Sequence, residues 1–331
     1  MSTKIAFLMD RKNRTNLFDT EHMERIARLG EIALFDASEA LSPDHTAELI
    51  EGADIAVTSW GCPPLEKPIL ERAPGLKLIV HAAGTVKRVV TPEVIRSGIR
   101  VSSANCVLGR RVAETALGLT IVSLKNIWQL AADTRNNEWG RNYDRVKELY
   151  GVTIGVVGAG ASGRPYIELM RQFQVRILVY DPNVSAEAIS GMGGIPADLD
   201  TLLAESDVVS IHAPAIPATN RMFNARRLAM MKDDAILINT ARGSLIDEDA
   251  LVAELSTGRL RACLDVTNPE PPGADHPFRT LPNVTLIPHV AGVVTNGLRS
   301  LGAFTAQELE AFANSGLLNG EIDLSRLDIL A

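Results

Sequence analysis

The sequence has few cysteines and no long apolar run, and each shortage excludes a class of protein. Its 331 residues include only three cysteines, Cys62, Cys106 and Cys263, which lie far apart and form no CxxC pair. Neither a disulfide framework nor a zinc site is favoured, so we expect no metal. We expect instead that the three cysteines are buried, apolar thiols of a protein in the reducing cytoplasm. No run approaches the roughly 18 apolar residues of a membrane helix, and the apolar stretch 5–9 is too short for a signal-peptide core.

The sequence also lacks any block of like charge. It has 33 Lys and Arg against 40 Asp and Glu, a net charge of −7, so we expect neither nucleic acid nor acidic lipid as a partner. Hydrophobic residues make up 46% of the chain and charged residues 22%, which is the balance of a folded protein and not of a disordered one. At roughly 150 residues per domain, the length predicts about two domains.

Short, continuous apolar runs alternate with longer stretches of helical spacing. Continuous runs are expected of strands that helices bury on both faces, so they predict parallel α/β sheets. A helix predicted over residues 111–132 separates the runs into two series, and hence into two sheets. The predicted strands are 5–9, 32–35, 54–58, 76–80 and 100–101 in the first series, and 153–157, 175–180, 207–211, 235–239, 262–266 and 284–287 in the second.

The most informative segment is a glycine-rich turn between a predicted strand and a helical pattern. Gly158, Gly160 and Gly163 form a G-x-G-x-x-G motif. The first glycine permits a tight turn, the second lets main-chain amides approach a pyrophosphate, and the third lets helix and strand pack closely. Asp181 ends the next strand 18 residues after Gly163, the usual distance for a carboxylate that binds the adenosine ribose. Because Asp181 would repel a 2′-phosphate, the motif predicts NAD and not NADP, although a structural turn followed by a surface acid is the alternative.

Three further strands end in polar residues of distinct chemistry, at the edge where open α/β sheets bind ligands. Arg242 follows the strand 235–239, Glu270 lies on a proline-rich turn after 262–266, and His289 follows 284–287. Singly, each could be a surface or structural residue. Together they supply a proton donor and acceptor, a carboxylate that favours imidazolium, and a guanidinium that polarises a carbonyl group.

Over nearly the whole chain the sequence resembles the D-isomer-specific 2-hydroxyacid dehydrogenase family, relatives of phosphoglycerate dehydrogenase. The matching segments are the glycine motif with residues 180–182, residues 210–214 with Thr219, and residues 239–243, 264–271 and 288–292. The resemblance implies that Arg242, Glu270 and His289 are catalytic. It also implies cofactor contacts at Gly158, Gly160, Ala161, Ser162, Gly163, Asp181, His212, Ala213, Pro214, Thr219, Thr240, Ala241, Asp265 and Gly292.

The resemblance is looser in the amino-terminal half. Gly84, Thr85 and Val86 occupy the position of the family's substrate loop, whose main-chain amides bind the substrate carboxylate. The family's second glycine is Val86 here, its aspartate is Arg88, and an asparagine usual before the joining helix is Leu108. Trp60 is a candidate to close over the substrate, or else a packed loop aromatic. These departures leave the natural substrate open.

The resemblance and the two strand series together predict the architecture. We expect two Rossmann-like or flavodoxin-like parallel-sheet domains of the α/β class, with the cofactor domain inserted into the substrate domain. The NAD-binding domain is predicted at residues 105–293, and the substrate domain at 1–104 and 294–331, with a helix over 298–313. A homodimer through residues 110–132 is implied.

The activity expected is NAD-dependent hydride transfer between a small D-2-hydroxy acid and its 2-keto acid. Two alternatives stay open: a non-catalytic NAD-binding regulator of the same fold, similar to a corepressor, and a relative that acts on another small anion such as phosphite. Glu270 argues against formate, because the formate enzymes carry a neutral amide at this position.

Overall fold

The computed structural model describes residues 2–330, and its contacts divide the chain into two compact units. The first, which we call the split unit, comprises Met1–Leu108 and Val293–Ala331. The second, the central unit, is Gly109–Gly292. Each unit is built around its own parallel β-sheet, so each has a sheet edge at which loops can gather.

The split unit contains a five-stranded parallel sheet in the order β2-β1-β3-β4-β5. This is the flavodoxin-like order of a doubly wound sheet. Its strands are β1 (Lys4–Leu8), β2 (Glu31–Leu34), β3 (Ile55–Thr58), β4 (Leu78–His81) and β5 (Arg100–Ser103). Its helices are α1 (Arg11–Leu17), α2 (Thr20–Ala27), α3 (Pro43–Ile50), α4 (Lys67–Leu70) and α5 (Pro92–Ser97), with a final helix near the carboxyl end of the chain.

Strand β1 shows why the split unit needs continuous apolar runs. Ile5 and Phe7 lie in one buried cluster, whereas Ala6 and Leu8 lie in another. Successive side chains of a strand point to opposite faces of the sheet, so both faces here are covered. The apolar runs that predicted these strands therefore reflect burial on two sides.

The central unit contains a seven-stranded parallel sheet in the order β12-β11-β10-β9-β6-β7-β8. The order reverses between β6 and β9, and ligands bind at such switch points in open α/β sheets. Its strands are β6 (Tyr150–Val157), β7 (Gln174–Tyr180), β8 (Ile195–Pro196), β9 (Val208–Ile211), β10 (Ile236–Asn239), β11 (Arg261–Leu264) and β12 (Val284–Leu286). Its shorter helices are α8 (Gly163–Met170), α9 (Ala186–Gly191), α10 (Leu199–Glu205), α11 (Ala225–Met230) and α12 (Glu248–Ser256).

The predicted fold class is confirmed, because both sheets are parallel and each of the eleven predicted strands is present. Strand β8 went unpredicted, since its two residues are too short for an apolar run to signal. The structure also contains a helix over residues predicted to be helical near the carboxyl end, α13 (Leu298–Ser315).

The single helix predicted over residues 111–132 is wrong. The structure has two helices there, α6 (Asn105–Leu124) and α7 (Ile127–Arg135). Asn126 separates them in the left-handed conformation, with φ of 52°. The carbonyl group of Leu124 accepts the N–H of Lys147 at 2.8 Å, so it does not continue the helical hydrogen-bond ladder. Apolar spacing alone cannot detect a break that a distant main-chain amide produces.

One prediction about the cysteines is also wrong. Cys62 and Cys263 are buried, as expected, but Cys106 is exposed near the start of α6. A helix terminus leaves part of its first turn open, and the sequence pattern before residue 111 did not reveal where that turn lies. All three cysteines are free thiols.

The longest helices, α6 and α13, contain 20 and 18 residues. Neither these nor any other helix within residues 2–330 is both long and apolar enough to cross a membrane.

Candidate active site

The glycine turn after β6 is shaped by close main-chain packing. Gly158 has φ of +98°, and a Cβ atom there would lie 2.7 Å from the main chain of His212 and Ala213. A Cβ atom on Gly163 would collide with the carbonyl oxygen of Gly158. Only glycine fits either position, because one needs a left-handed conformation and both lack room for a side chain. The roles predicted for these two glycines agree with this geometry.

The middle glycine faces open space. Apart from its chain neighbours, no atom of residues 2–330 lies within 4 Å of a Cβ position on Gly160, in contrast to Gly158 and Gly163. Helix α8 starts at Gly163, and its N-cap residue Ser162 makes no side-chain cap hydrogen bond. Free N–H groups at a helix start, next to an open glycine turn, suit a pyrophosphate. Ala161 also belongs to this turn, where its carbonyl group packs against Gly109 of α6.

Asp181 is fixed at the end of β7 by two main-chain amides. Its Oδ2 accepts the N–H of Ala159 at 2.8 Å, and its Oδ1 accepts that of Asn183 at 2.8 Å. The carboxylate lies on an open cavity of about 360 Å³ beside the glycine turn. This volume and position fit the adenosine end of a dinucleotide. The cavity is lined by Val179, Tyr180, Asp181, Val184, Ala186, Ile189, Pro196, Ala197 and Asp198.

His212 supports the glycine turn from within. Its ring is buried, with Nδ1 3.2 Å from the hydroxyl of Ser162 and Nε2 2.9 Å from that of Ser210. The ring centroid lies 5.0 Å from that of the buried Tyr166. Burial lowers the pKa of His212 to about 3, so the ring is neutral near pH 7. These contacts make His212 a buried support of the turn, and its predicted cofactor contact stays a prediction.

The loop after β9 holds its own shape. The hydroxyl of Thr219 donates to the carbonyl group of Pro214 at 2.6 Å and accepts the N–H of Ile216 at 3.0 Å. Ala213 lies against the turn at Gly158. The predicted cofactor residues Ala213, Pro214 and Thr219 are therefore brought to the same edge of the sheet as the glycine motif.

The turn after β10 is built on Asn239. The side chain of Asn239 donates to the carbonyl group of Arg242 at 2.9 Å and accepts the N–H of Ala241 at 3.0 Å. Between them, the hydroxyl of Thr240 is buried without a hydrogen-bond partner in residues 2–330. An unpaired buried hydroxyl costs stability unless a ligand supplies its hydrogen-bond partner. A bound nicotinamide group would fit this role. Asn239 belongs to the matching segment 239–243, but the sequence pattern indicates no role for its side chain.

Asp265 organises the segment that carries His289. Its carboxylate accepts the N–H groups of Val290 at 2.7 Å and Ala291 at 3.1 Å, and its carbonyl group accepts the N–H of His289 at 2.9 Å. Burial raises the pKa of Asp265, and the two amides oppose that rise. Gly292, the last predicted cofactor residue, comes directly after this segment.

Glu270 and His289 are brought into direct contact. Oε1 of Glu270 lies 2.6 Å from Nδ1 of His289, although 19 residues separate them in the chain. Both side chains are partly open, with 46% of the His289 side chain and 41% of Glu270 exposed. His289 has φ of 53°, an uncommon conformation, and its N–H donates to the carbonyl group of Asp265. The contact leaves Nε2 of the imidazole available to a substrate.

Arg242 presents an exposed guanidinium after β10. Its Nη1 donates to the carbonyl group of Ala241 at 2.6 Å, and within residues 2–330 it forms no ion pair. The remaining donors are therefore open to an anion or a carbonyl oxygen.

The substrate candidates of the split unit follow β3 and β4. Trp60, 42% exposed, comes after β3, whereas the side chain of Val86 is buried in the core. The main-chain amides of Gly84, Thr85 and Val86 have no hydrogen-bond acceptor within residues 2–330. Three consecutive unpaired amides after a strand can bind an anion such as a carboxylate.

The model of the NAD binding domain of D-isomer specific 2-hydroxyacid dehydrogenases matches residues 117–291, more than half of the chain. The chain belongs to this family. NAD is accordingly the cofactor, and the open glycine turn, the fixed Asp181 and the unpaired Thr240 hydroxyl all fit it.

Similar proteins agree with this membership. A glyoxylate reductase of Thermofilum pendens is 34% identical over 264 residues, which cover 78% of this chain and 76% of that one. A D-3-phosphoglycerate dehydrogenase of Methanocaldococcus jannaschii is 31% identical over 311 residues, or 93% of this chain, but this chain spans only 59% of its length. The structure of a D-mandelate dehydrogenase of Rhodotorula graminis has a TM-score of 0.82 at 19% identity, covering 97% of this chain and 98% of that one. At that identity the likeness shows a shared fold.

Proposed function

We propose that this protein catalyses NAD-dependent hydride transfer between a small 2-keto acid and its D-2-hydroxy acid, with His289 as the acid and base. The observation that carries the proposal is the 2.6 Å contact between Glu270 and His289. Arg242 follows β10, which belongs to the same parallel sheet as the strands that precede Glu270 and His289. A structural histidine would be buried and fully paired, whereas this imidazole is 46% exposed and, within residues 2–330, has a hydrogen-bond partner at Nδ1 only.

The imidazole of His289 transfers the proton. When bound, the nicotinamide supplies or accepts the hydride at C4. Glu270 accepts the hydrogen bond of Nδ1–H, so Nε2 gives the proton to the carbonyl oxygen during reduction and takes it back during oxidation. The carboxylate 2.6 Å away holds the ring through Nδ1.

Arg242 stabilises the oxygen on which negative charge develops. Its planar fork of N–H donors can bind a carbonyl or carboxylate oxygen with two hydrogen bonds, which a lysine cannot reproduce. Asn239 holds the turn from both sides, so the guanidinium leaves the sheet from a fixed main chain. The amides of Gly84, Thr85 and Val86 are proposed to bind the substrate carboxylate.

We also propose roles for the two units. The central unit is the NAD-binding domain, because the matched residues 117–291 lie within it. The split unit is the substrate domain, which the amides after β4 support. The sequence predicts residues 105–293 for the NAD-binding domain, and residues 1–104 with 294–331 for the substrate domain.

The homodimer is a further proposal, through α6, α7 and the segment that follows. Trp128, Trp139, Tyr143 and Tyr150 are 43%, 81%, 57% and 70% exposed. Aromatic side chains are enriched in protein interfaces, and a run of exposed ones favours a partner. Light scattering after size exclusion gives the mass, and Trp139→Glu should reduce the dimer fraction.

The proposed cytoplasmic location rests on the three free thiols, which favour a reducing compartment.

A panel of small 2-keto acids with NADH tests the activity, with NADPH, formate and phosphite (the last two with NAD) included for comparison. We expect turnover of one or more 2-keto acids, and a loss of about 10²- to 10⁴-fold in His289→Ala, since general acid-base catalysis contributes that much. NAD binding without any turnover would instead support the regulator, and turnover of phosphite the other alternative. Wild-type rates in His289→Ala would refute the catalytic role.

A further inference from the structure

A polar cavity of about 450 Å³ lies within the central unit. It is bordered by Arg261, the first residue of β11, and by Asn126, at the break between α6 and α7. The candidate catalytic residues instead follow the carboxyl ends of β10, β11 and β12. Because the strands of this sheet are parallel, the cavity and those residues lie at opposite edges of it. The proposed function uses no residue of the cavity.

Among residues 2–330, two arginines and no carboxylate line the cavity. Arg261 is 8% exposed, and its Nη1 donates to the carbonyl group of Ser123 at 2.7 Å. Its buried Nε lies 3.1 Å from Oδ1 of Asp234 but has no hydrogen-bond partner within the same residues. The second arginine, Arg145, is 37% exposed and pairs with the same carboxylate at 2.8 Å. Burial lowers the pKa of the Arg261 guanidinium and the charge of Asp234 opposes that fall, so the wall of the cavity holds a buried cation.

The ion pairs beside the cavity contain more cations than carboxylates. Four cations share two carboxylates, at distances from 2.8 to 3.9 Å, which leaves an excess of two positive charges in this network. Its members within residues 2–330 are Arg145, Lys147, Lys232 and Arg261, with Asp207 and Asp234. A phosphate monoester carries about −1.5 to −2 charges at pH 7, whereas a carboxylate carries only one. The charge balance therefore favours a phosphate group.

Helix α7 begins beside the cavity without a cap. Asn126 occupies its N-cap position in the left-handed conformation and makes no side-chain cap hydrogen bond. The N–H groups of Ile127, Trp128 and Gln129 have no acceptor among residues 2–330. Trp128 and Gln129 also line the cavity. Free N–H groups at the start of a helix bind anions, and phosphate groups in particular.

The side chain of Asn126 is an independent indication of a ligand. Asn126 lines the cavity and is 9% exposed, and its Nδ2 is buried without a hydrogen-bond partner in the described part of the chain. A buried donor without an acceptor costs free energy, which a bound acceptor recovers. With Nε of Arg261, two buried donors on different elements of the cavity wall thus lack an acceptor among residues 2–330.

We propose that this cavity binds a small phosphate monoester through Asn126, Arg261 and the first turn of α7, at the sheet edge opposite the candidate catalytic residues. Its volume lies within the range of roughly 300–1,000 Å³ of small-molecule sites, so it has room for more than a phosphate ion. The apolar side chains of Leu255, Leu281 and Pro282 are available to the carbon part of the ligand. The bound anion holds the start of α7 to β11.

Calorimetric titration with sn-glycerol 3-phosphate tests the proposal. The protein is saturated with NADH, so that the phosphate does not bind at the glycine turn. Asn126→Gly removes the side chain and Asn126→Asp replaces its donor with a carboxylate, and both new residues tolerate the left-handed conformation of this position. The matched control is Asn137→Asp, because Asn137 has φ of 61° but is exposed and lies outside the cavity. Glycerol and acetate serve as control ligands.

We expect the wild type and Asn137→Asp to bind one glycerol 3-phosphate per chain. Asn126→Gly should bind it about tenfold more weakly, the effect of one lost buried hydrogen bond. Asn126→Asp should bind it about 10- to 100-fold more weakly, because a carboxylate then faces the anion. Thermal unfolding is the second measurement: the ligand should raise the Tm of the wild type and leave that of Asn126→Asp nearly unchanged. Should Asn126→Asp fail to fold, Asn126→Gly decides the question.

Four results overturn the proposal. The first is a wild type that binds no glycerol 3-phosphate, and the second is equal affinity in Asn126→Asp and Asn137→Asp, which places the phosphate elsewhere. The third is binding of glycerol or acetate as tight as that of glycerol 3-phosphate. Because Trp128 also belongs to the proposed dimer face, light scattering accompanies each titration. The fourth is a wild-type dimer that binds no phosphate and dissociates in Asn126→Asp, since a second chain then covers the cavity.

Discussion

The carboxylate of Asp265 accepts the N–H of Val290 at 2.7 Å and that of Ala291 at 3.1 Å, so an acid at the end of β11 holds the segment after β12. His289 precedes these two amides and donates its own N–H to the carbonyl group of Asp265 at 2.9 Å. The buried acid therefore fixes the main chain from which the imidazole projects toward Glu270. The geometry of the Glu270–His289 pair therefore depends on a residue that has no part in the proposed proton transfer.

Asp265→Asn should lower kcat/KM by about 10- to 100-fold. An amide group in place of the carboxylate turns one acceptor into a donor that faces two main-chain N–H groups, and an unmade buried hydrogen bond costs about 1–3 kcal/mol. Steady-state kinetics and urea unfolding measure the two effects. Asp19→Asn is the control, since Asp19 caps α2 and asparagine caps equally well. Equal kinetics in Asp265→Asn and wild type would contradict the positioning of His289.

Asp181→Ala should weaken NADH binding by about 10- to 100-fold, because a charged hydrogen bond contributes about 1.5–3 kcal/mol. It should also narrow the preference for NADH over NADPH, since the charge that repels a 2′-phosphate is gone. Steady-state kinetics with NADH and with NADPH measure this preference as the ratio of the two kcat/KM values. Asp200→Ala is the control, because Asp200 is also a carboxylate of the central unit but pairs with Arg226 and Arg227. If Asp181→Ala prefers NADH over NADPH as strongly as the wild type does, Asp181 does not bind the adenosine ribose.

The sequence was sufficient for the two sheets, because strands buried on both faces leave continuous apolar runs of strand length between stretches of helical spacing. The sequence was also sufficient to predict that the polar residues after the strands lie at one edge of the sheet, because the carboxyl ends of parallel strands lie at the same edge. The contact between Glu270 and His289 follows from that rule, although no spacing between the two residues predicts it.

Other features of the site could not be predicted from local patterns. The roles of Asn239 and Asp265 arise from hydrogen bonds to main-chain atoms, which leave no trace in side-chain periodicity. The break at Asn126 depends on Lys147, 21 residues further along the chain. His81 cannot be told from any other strand-end histidine in the sequence, because the folded sheet alone brings it to its partner Thr58.

Glu308 should be one of the least replaceable residues of the split unit. It is fully buried in α13, and its carboxylate accepts the hydroxyl of Ser102 at 2.5 Å and the N–H groups of Asn319 and Gly320 at 2.8 and 3.1 Å. Glu308→Gln should lower the free energy of unfolding by about 2–4 kcal/mol, because an amide donor then opposes buried donors. Urea unfolding measures the change.

The matched control for that experiment lies two residues further along the same helix. Glu310 pairs with Arg25 at 2.6 Å, and its side chain is 34% exposed. Glu310→Gln should cost less than about 1 kcal/mol, since partly exposed ion pairs contribute little. If both variants lose the same stability, the buried carboxylate is not what holds residues 319 and 320 to the sheet.

Two buried histidines should make the protein less stable as the pH falls below neutrality. Burial lowers the pKa of His81 to about 4 and that of His212 to about 3, whereas an unfolded chain protonates histidine near 6.5. The unfolded state therefore binds more protons between pH 6.5 and 4, so stability is complete above pH 6.5 and falls by up to about 1.4 kcal/mol per pH unit for each ring. Urea unfolding of the cofactor-free protein at pH 7, 6 and 5 should show this decline. The free energy of unfolding of His81→Gln should decline less steeply with falling pH, because only His212 then contributes. If it declines equally in the variant and the wild type, groups other than His81 cause the pH dependence.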